Sequence, residues 1–550
     1  MPKLTIDGKT VEVGAGKTVI QAAEQAGCFV PRYCYHPGLS IAGNCRICLV
    51  AVEGQKKLQI ACNTQVSDGM VVHTQGEPVE QGRAEVLEFL LANHPLDCPV
   101  CDQSGECDLQ NFYMAYGRYD PRFAEQKVRK PKAVPLGPTV MLDAERCILC
   151  SRCVRFTDEV SRTQEFGIFN RGDRAEVGIY PGKTLSNPYA GNVVDICPVG
   201  ALTDRDFRFK ARVWYLSSSP SVCPGCSKGC NIDIHYTLDR PHLDDGARVM
   251  RLKPRVNPEV NQWWMCDEGR YAYKAIDRCR ILKPRHRGRA LGWETAVLEL
   301  AGQLARIEPK QREESVAVIA GTNLTTEALY LAARLFGEGL QIRNCSAELP
   351  VLPGSHDELL IQADKNPNRK GAELLGLAGE KARPAEPWIQ AALDGKIKSL
   401  WVIGEDLAAR FGEETVKQLA EKLELFVYQG SHENGTAAQA HWVLPSAVYA
   451  EQAGTFVNCD GRVQALTKAF EPLGESRPDW LILTALLTRL ELPAPGNEPA
   501  KIFEALAAAH APFAGMTYER LGLQGLPARL DGAGGLGGPA AGAAAKAERK

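Results

Sequence analysis

Sixteen side chains constrain this chain more than any hydrophobic pattern does. Fifteen of its nineteen cysteines, with one histidine, fall into four sets of four. They are Cys34, Cys45, Cys48 and Cys62; His94, Cys98, Cys101 and Cys107; Cys147, Cys150, Cys153 and Cys197; and Cys223, Cys226, Cys230 and Cys266. Cys28 is left over, and Cys279, Cys345 and Cys459 are scattered singly through the rest. The opening MPKLTIDGKTVEV has no apolar export segment, so a disulfide framework is a poor reading and thiolates that meet metal are a better one. No run reaches the roughly 18 apolar residues of a membrane helix. With 64 basic against 66 acidic residues, no basic field points to nucleic acid or anionic lipid. These features predict a protein that reaches a membrane only through partners.

Spacing separates the four sets. The first, C-x10-C-x2-C-x13-C, sits in a turn-rich loop, CYHPGLSIAGNCRIC, after a predicted hairpin (KLTID, TVEV) and a helix capped by Thr18 and Gln21. That plan is similar to plant-type [2Fe-2S] loops, and a four-cysteine zinc site is the plain alternative. The third, CILCSRC with Cys197-Pro198 downstream, starts like a bacterial ferredoxin but carries Thr157 where the local fourth cysteine would stand, so it reads as one split [4Fe-4S] site. The fourth, CPGCSKGC with Cys266, has the spacing that opens molybdenum and tungsten oxidoreductases and reads as another split [4Fe-4S] site, with a zinc ribbon as its rival. On spacing alone the second, H-x3-C-x2-C-x5-C, divides evenly between a zinc knuckle and a cluster. Its position between two cluster modules favours a [4Fe-4S] cluster with His94 as an iron ligand, since a redox-inert ion would interrupt electron flow.

In this order the sets resemble the large iron-sulfur subunit of respiratory complex I, the bacterial G subunit or mitochondrial 75 kDa subunit, through at least residues 1 to 270. The resemblance implies a multidomain α+β and α/β fold. Its parts would be a β-grasp [2Fe-2S] domain over 1–78, a one-His/three-Cys [4Fe-4S] segment over 79–118, a ferredoxin-like [4Fe-4S] domain over 119–215 and a molybdopterin-oxidoreductase-type [4Fe-4S] domain over 216–272. A truncated molybdopterin-oxidoreductase-like α/β domain without its cofactor would fill 273–528, before a disordered tail over 529–550. The fourth cluster resembles one found only in some bacterial members, where it lies off the main path.

The back half supports this from its own pattern. SVAVIAG, KSLWVIG and ELFVYQG are apolar throughout and alternate with helical runs such as TTEALYLAARLF, as buried parallel strands do. The serious rival is a catalytic formate dehydrogenase or nitrate reductase; [FeFe]-hydrogenases share the front half but need further cysteines in their catalytic domain, where only scattered ones exist here. Against it, no Cys-His pair offers a metal ligand, the domain is short for a large pterin cofactor, and Glu268 stands where catalytic relatives commonly carry lysine near the cluster. Two nucleotide-like motifs are discounted: GAGKT at 14–18 lacks the first P-loop glycine, and Gly532, Gly534 and Gly537 lie in the low-complexity tail. His36, His73 and Cys28 read as packing or surface residues, and KVRKPK at 127–132 as a solvated or subunit-facing strip.

The expectation is an electron-conducting subunit of a proton-translocating NADH:quinone oxidoreductase, with one [2Fe-2S] and three [4Fe-4S] clusters, no molybdopterin and no catalytic residue of its own. The alternatives are a subunit of a soluble NAD-linked formate dehydrogenase or hydrogenase, and a zinc-stabilised scaffold. FMN and NADH would sit in a partner subunit. Further partners would be a two-[4Fe-4S] ferredoxin-like subunit and the quinone-module subunits, on the cytoplasmic side of the bacterial inner membrane.

Overall fold

A computed structural model describes residues 1–530, except 121, 348, 352 and 380–382. The expected disordered tail, with its glycines at 532, 534 and 537, therefore lies outside the described residues from 531 onward.

The chain opens with the expected hairpin, Lys3–Ile6 paired antiparallel with Lys9–Glu12. Asp7 and Gly8 both take positive φ, 46° and 80°, which the tight two-residue turn of a right-twisted hairpin demands. Leu4, Ile6 and Val11 face a core completed by the helix Val19–Gln25, whose start is fixed by Thr18 N donating to Gln21 Oε1 at 3.1 Å. Five strands form one sheet in the order Lys9–Glu12, Lys3–Ile6, Val71–His73, Leu49–Val52, Gln59–Ile60. The loop of residues 28–48, free of helix and strand as its turn formers predict, leaves the edge of this layer.

Helix Glu77–Asn93 then crosses to the next segment. Its Arg83 is buried, donates to Leu49 O at 3.0 Å and lies 5.0 Å from the Tyr116 ring, so one guanidinium fastens the first sheet to helix Asp108–Tyr116. Two small sheets follow. Leu202–Asp204, Val140–Leu142 and Val134–Pro135 form the first, and the antiparallel Ser217–Val222, Asn231–Tyr236 and Val249–Pro254 form the second.

The basic run at 127–132, expected to be a solvated or subunit-facing strip, keeps Arg129 and Lys132 exposed but also makes contacts within the chain. Lys127 Nζ donates to Leu91 O and Ala92 O at 2.8 and 2.9 Å, and Lys132 pairs with Asp97, Asp143 and Glu145. These lysines staple the end of the long helix to the next module. A charge run shows how many cations are present, but their partners come from residues up to 45 positions away.

The back half is built on a seven-stranded sheet in the order Arg289–Ala290, Arg285–His286, Trp442–Pro445, Leu425–Gly430, Ser399–Ile403, Val316–Ala320, Cys345–Ser346. The last five are parallel to one another. Every residue of Val316–Ala320, Ser399–Ile403 and Leu425–Gly430 is buried, because helices cover both faces. Full burial of each Val, Ile, Leu or Phe there contributes roughly 1.5–3 kcal/mol.

Candidate iron-sulfur sites

The first set lies in and just after the irregular loop. Cys34, Cys48 and Cys62 are buried and Cys45 half-buried. Cys34 N reaches Cys45 Sγ at 3.4 Å. The Cys34 and Cys48 thiols are pushed down because neighbouring thiols donate to them, and those of Cys45 and Cys62 are pushed up. The four sulfurs therefore converge. Arg46 at φ 62° and Gly43 at φ 64° bend the backbone around them.

In the third set all four cysteines line one pocket, walled by Leu142, Val177, Val199 and Leu202. Leu149 and Ser151 take φ of 54° and 60°, a left-handed conformation rare for such residues, and this turns amides toward the pocket. Leu149 N lies 3.4 Å from Cys147 Sγ. Burial pushes the Cys147 thiol up to about 12 and that of Cys150 to about 11, so these walls alone do not favour free thiolates.

The fourth set is arranged alike. Cys223, Cys226, Cys230 and Cys266 line one pocket with Gly225, Gly229, Gly269, Leu360 and Ile361. Gly269 N lies 3.4 Å from Cys266 Sγ, and a Cβ on Gly269 would come within 2.8 Å of Cys223 Sγ, so the close approach requires glycine. Lys365 also lines this pocket and pairs with Glu268 at 2.9 Å. The turn between strands Gly454–Val457 and Arg462–Leu466 clamps the same loop: Cys459 N donates to Ser227 O at 2.7 Å and Gln464 Nε2 to Gly229 O at 2.9 Å.

The second set is the most open. His94 caps the C-terminus of its helix, Cys98 is exposed in a short 3-10 turn, and Cys107 precedes helix Asp108–Tyr116. Cys101 feels the charge of Cys98, and Cys107 that of Cys101. The charge of Arg146 acts on both His94 and Cys101, and Asp97, three residues after His94, pairs with that arginine at 2.9 Å. Burial, with Arg146 and Lys127 adding to it, lowers the His94 imidazole to about 4, so it stays neutral, and its Nδ1 is buried with no hydrogen-bond partner. Among the described residues no three His, Cys, Asp or Glu donors are drawn in tightly enough to hold a single ion as they stand.

Three of the sets adjoin. Cys34 and Cys45, Cys107, and Cys147, Cys150 and Cys197 all belong to one apolar core with Tyr33, Leu87 and Val199. Arg155 donates to Cys34 O at 2.6 Å and to Cys150 O at 3.2 Å, and Asn44 Nδ2 to Leu149 O at 3.1 Å, which binds the first set to the third. Asp108 N donates to Pro198 O at 3.0 Å, and a Cβ on Gly200 would sit 2.2 Å from Cys101 Sγ, which packs the second against the third. The fourth adjoins the third through Asp267 N to Pro188 O at 2.7 Å and Asn192 Nδ2 to Met265 O at 2.7 Å. Sequence reasoning missed Arg155, Asn44, Arg146 and Lys365. Arg152 and Arg155, beside the third set, were visible in CSRCVRF, but the acceptors that tie them to the first set, Tyr35 O and Cys34 O, lie more than a hundred residues away.

His36, expected to be a packing residue, stacks on Trp264 at 5.2 Å; His73 is exposed and pairs with Glu53, and Cys28 is buried in the first core.

Five domain families match in chain order. Residues 2–77 match a 2Fe-2S iron-sulfur cluster binding domain, 83–122 the NADH-ubiquinone oxidoreductase-G iron-sulfur binding region and 137–203 the ferredoxin-like domain of NADH-quinone oxidoreductase subunit 3. Residues 216–278 match the molybdopterin oxidoreductase Fe4S4 domain and 365–489 molybdopterin oxidoreductase itself. Among similar proteins, the mitochondrial NADH-ubiquinone oxidoreductase 78 kDa subunit of Candida albicans is 32% identical over 90% of this chain and 84% of its own length. The G subunit of NADH-quinone oxidoreductase from Rickettsia conorii is 31% identical over 90% and 88%, and that from Rickettsia prowazekii 41% over 60% and 48%.

The fold and the five matching domain families together define an iron-sulfur electron-transfer protein assembled from ferredoxin-type modules on a molybdopterin-oxidoreductase-type domain. Within that class, the chain belongs to the family of NADH-quinone oxidoreductase G subunits.

Proposed function

We propose that the chain carries electrons from NADH and FMN, both bound in a partner subunit, toward quinone, using one [2Fe-2S] cluster on the first set and one [4Fe-4S] cluster on each of the other three. Iron-sulfur clusters supply one-electron steps at potentials tuned by ligand type, hydrogen bonds to sulfur and burial. The observation that carries this reading is the single apolar core shared by cysteines of the first three sets. A rigid, dry core fixes the distances between donors, and the amides beside Cys45, Cys147 and Cys266 can offset negative charge on sulfur. The unpartnered Nδ1 of His94 and the glycines pressed against Cys101 and Cys223 suit sites shaped for a group larger than a proton.

The finer parts of the reading are proposals too. The domain limits are those expected from sequence, with a β-grasp first module. The back domain carries no molybdopterin. In an open α/β sheet such a ligand would lie beyond the strand ends where the strand order reverses. There Asn323 Nδ2 donates to Gly404 O at 3.3 Å, and a Cβ on either Gly321 or Gly404 would lie 2.6 Å from Asn323 Oδ1, so the chain's own side chain occupies the crevice. Lys365, paired with Glu268, presents no free cation to an anionic pterin. The partners would be the NADH/FMN-binding, two-[4Fe-4S] ferredoxin-like and quinone-module subunits. No described helix is long and apolar enough to cross a membrane, which agrees with attachment to the cytoplasmic face of a bacterial inner membrane through those partners.

Metal and sulfide analysis of anaerobically purified full chain tests the assignment. About fourteen iron atoms per chain are expected, with neither zinc nor molybdenum in stoichiometric amount. One molybdenum per chain would instead favour the dehydrogenase, and four zinc ions the inert scaffold.

The fourth set should behave differently from the others. Its loop is tied to the 454–466 hairpin and to residues 188–192, so Cys226→Ala is expected to weaken folding or subunit assembly, since metal binding and folding are coupled. The fraction that assembles should keep its NADH-to-quinone turnover. Fully assembled variant with abolished turnover would place this set on the electron path.

A further inference from the structure

An open cleft of about 610 Å³ lies in the back domain, remote in sequence from all four ligand sets, between residues 451–453, 468–481, Trp293 and Pro499. Its size falls in the range of small-molecule sites. Two buried indoles form part of the wall. Trp293 Nε1 donates to Glu475 O at 2.6 Å and Trp480 Nε1 to Ala453 O at 3.1 Å, so both N–H groups are spent; the Trp293 ring lies under Arg477, and Trp480 adds an apolar edge to the wall.

The charges lining the cleft do not cancel one by one. Glu451 is held by Arg280 and Arg248, Glu471 by Lys468 at 2.6 Å and Glu475 by Lys283 at 3.6 Å. Arg477 is half-buried, stacks 4.6 Å from the Trp293 ring centre and has no ion-pair partner among the described residues. Its planar fork is suited to two parallel bonds to a phosphate. Gln452, only 5% exposed, also lines the cleft; its Nε2 donates to Ala447 O at 3.2 Å while its Oε1 is left without a donor. A buried acceptor with no partner is uncommon and is relieved by a ligand that brings an N–H or O–H.

We propose that this cleft binds a mononucleotide-sized ligand, a phosphate joined to a planar heteroaromatic ring. The phosphate would be held by Arg477, the ring would lie against the edge of Trp480, and a ring or ribose donor would meet Gln452 as that side chain turns toward it. A bare phosphate would use the arginine but leave most of the cleft and the acceptor unfilled. The inference does not depend on the cluster assignment.

The test is calorimetric titration of the anaerobically purified full chain with AMP, adenosine and inorganic phosphate in parallel. Saturable AMP binding is expected, at least about tenfold tighter than that of adenosine or phosphate. Arg477→Gln should weaken it by at least about tenfold, and Leu481→Trp, which narrows the cleft beside Trp480 and keeps every charge, should weaken it by at least about tenfold too. Cluster absorbance and thermal unfolding should stay as in the parent, so loss of binding is not loss of fold. No saturable AMP binding, binding that either variant leaves unchanged, or phosphate binding as tight as AMP would overturn the proposal.

Discussion

Arg280→Ala is expected to cost the back domain about 3–5 kcal/mol, the usual penalty for leaving one partner of a buried ion pair behind. The Arg280 and Glu451 side chains are 1% and 0% exposed and meet at 2.7 Å. Arg280 also donates to Ile276 O, Ser431 O and Ser446 O at 2.9, 3.0 and 3.2 Å. One guanidinium thus ties the entry of the back domain to the loops that follow two central strands, Leu425–Gly430 and Trp442–Pro445. With alanine, Glu451 keeps Arg248 at 2.6 Å and Ser431 O keeps Ile281 N at 3.0 Å, but Ile276 O and Ser446 O lose the guanidinium as donor.

The pH dependence of the pair has a definite sign. Burial pushes the Glu451 carboxyl up, but the bonds from Arg280 and Arg248 outweigh it and hold the carboxyl below the usual range. A depressed carboxyl stabilises the fold above its unfolded value near pH 4.3, and the contribution is lost as pH falls through the lower folded value. The parent should therefore lose stability in acid through this group, and Arg280→Ala should show a smaller loss from it. Because a chain of several modules need not unfold in one step, the measurement is thermal unfolding followed at the back-domain tryptophans, with cluster absorbance recorded alongside. A shift of less than about 1 kcal/mol would mean that the cavity rehydrates and the pair is not a keystone.

What the sequence made legible follows from which interactions are local. The hairpin at Gly8, the helix after Thr18 and the all-apolar strands of the back sheet are written in neighbouring residues, and they stand where the patterns put them. The first three cysteines of CILCSRC and of CPGCSKGC were legible as candidate donors for the same reason, because short spacings keep them together, whereas Cys197 and Cys266 stand far along the chain. Contacts between modules were not. Arg155 reaches Cys34 O across 121 residues, Arg251 pairs with Glu106 across 145, and Lys365 pairs with Glu268 across 97. Nothing in an arginine's own neighbourhood tells which remote acceptor it will meet. The basic run at 127–132 shows the cost, because counting its charges suggested a solvated or subunit-facing strip while the fold also spends Lys127 on the preceding helix and Lys132 on Asp97, Asp143 and Glu145.

His94 is where the sequence divided evenly and the structure adds a reason to choose. At the end of helix Glu77–Asn93 the imidazole is neutral, and its buried Nδ1 has no partner, an arrangement that a purely structural histidine would avoid by finding a carbonyl or carboxylate. His94→Cys puts a thiolate in place of that neutral ring and adds negative charge beside the cluster, so the oxidised form is favoured and the potential should fall while the cluster persists. NADH-to-quinone transfer should then slow more than assembly suffers. In His94→Ala one iron loses its protein ligand, and the second set should be damaged or lost, with its EPR signal and most of the turnover. An EPR redox titration of both variants beside the parent separates the roles. A lowered midpoint in His94→Cys together with a lost signal in His94→Ala would establish ligation, whereas an unchanged midpoint and spectrum in His94→Cys would make His94 a bystander and leave Cys98, Cys101 and Cys107 in need of another fourth donor.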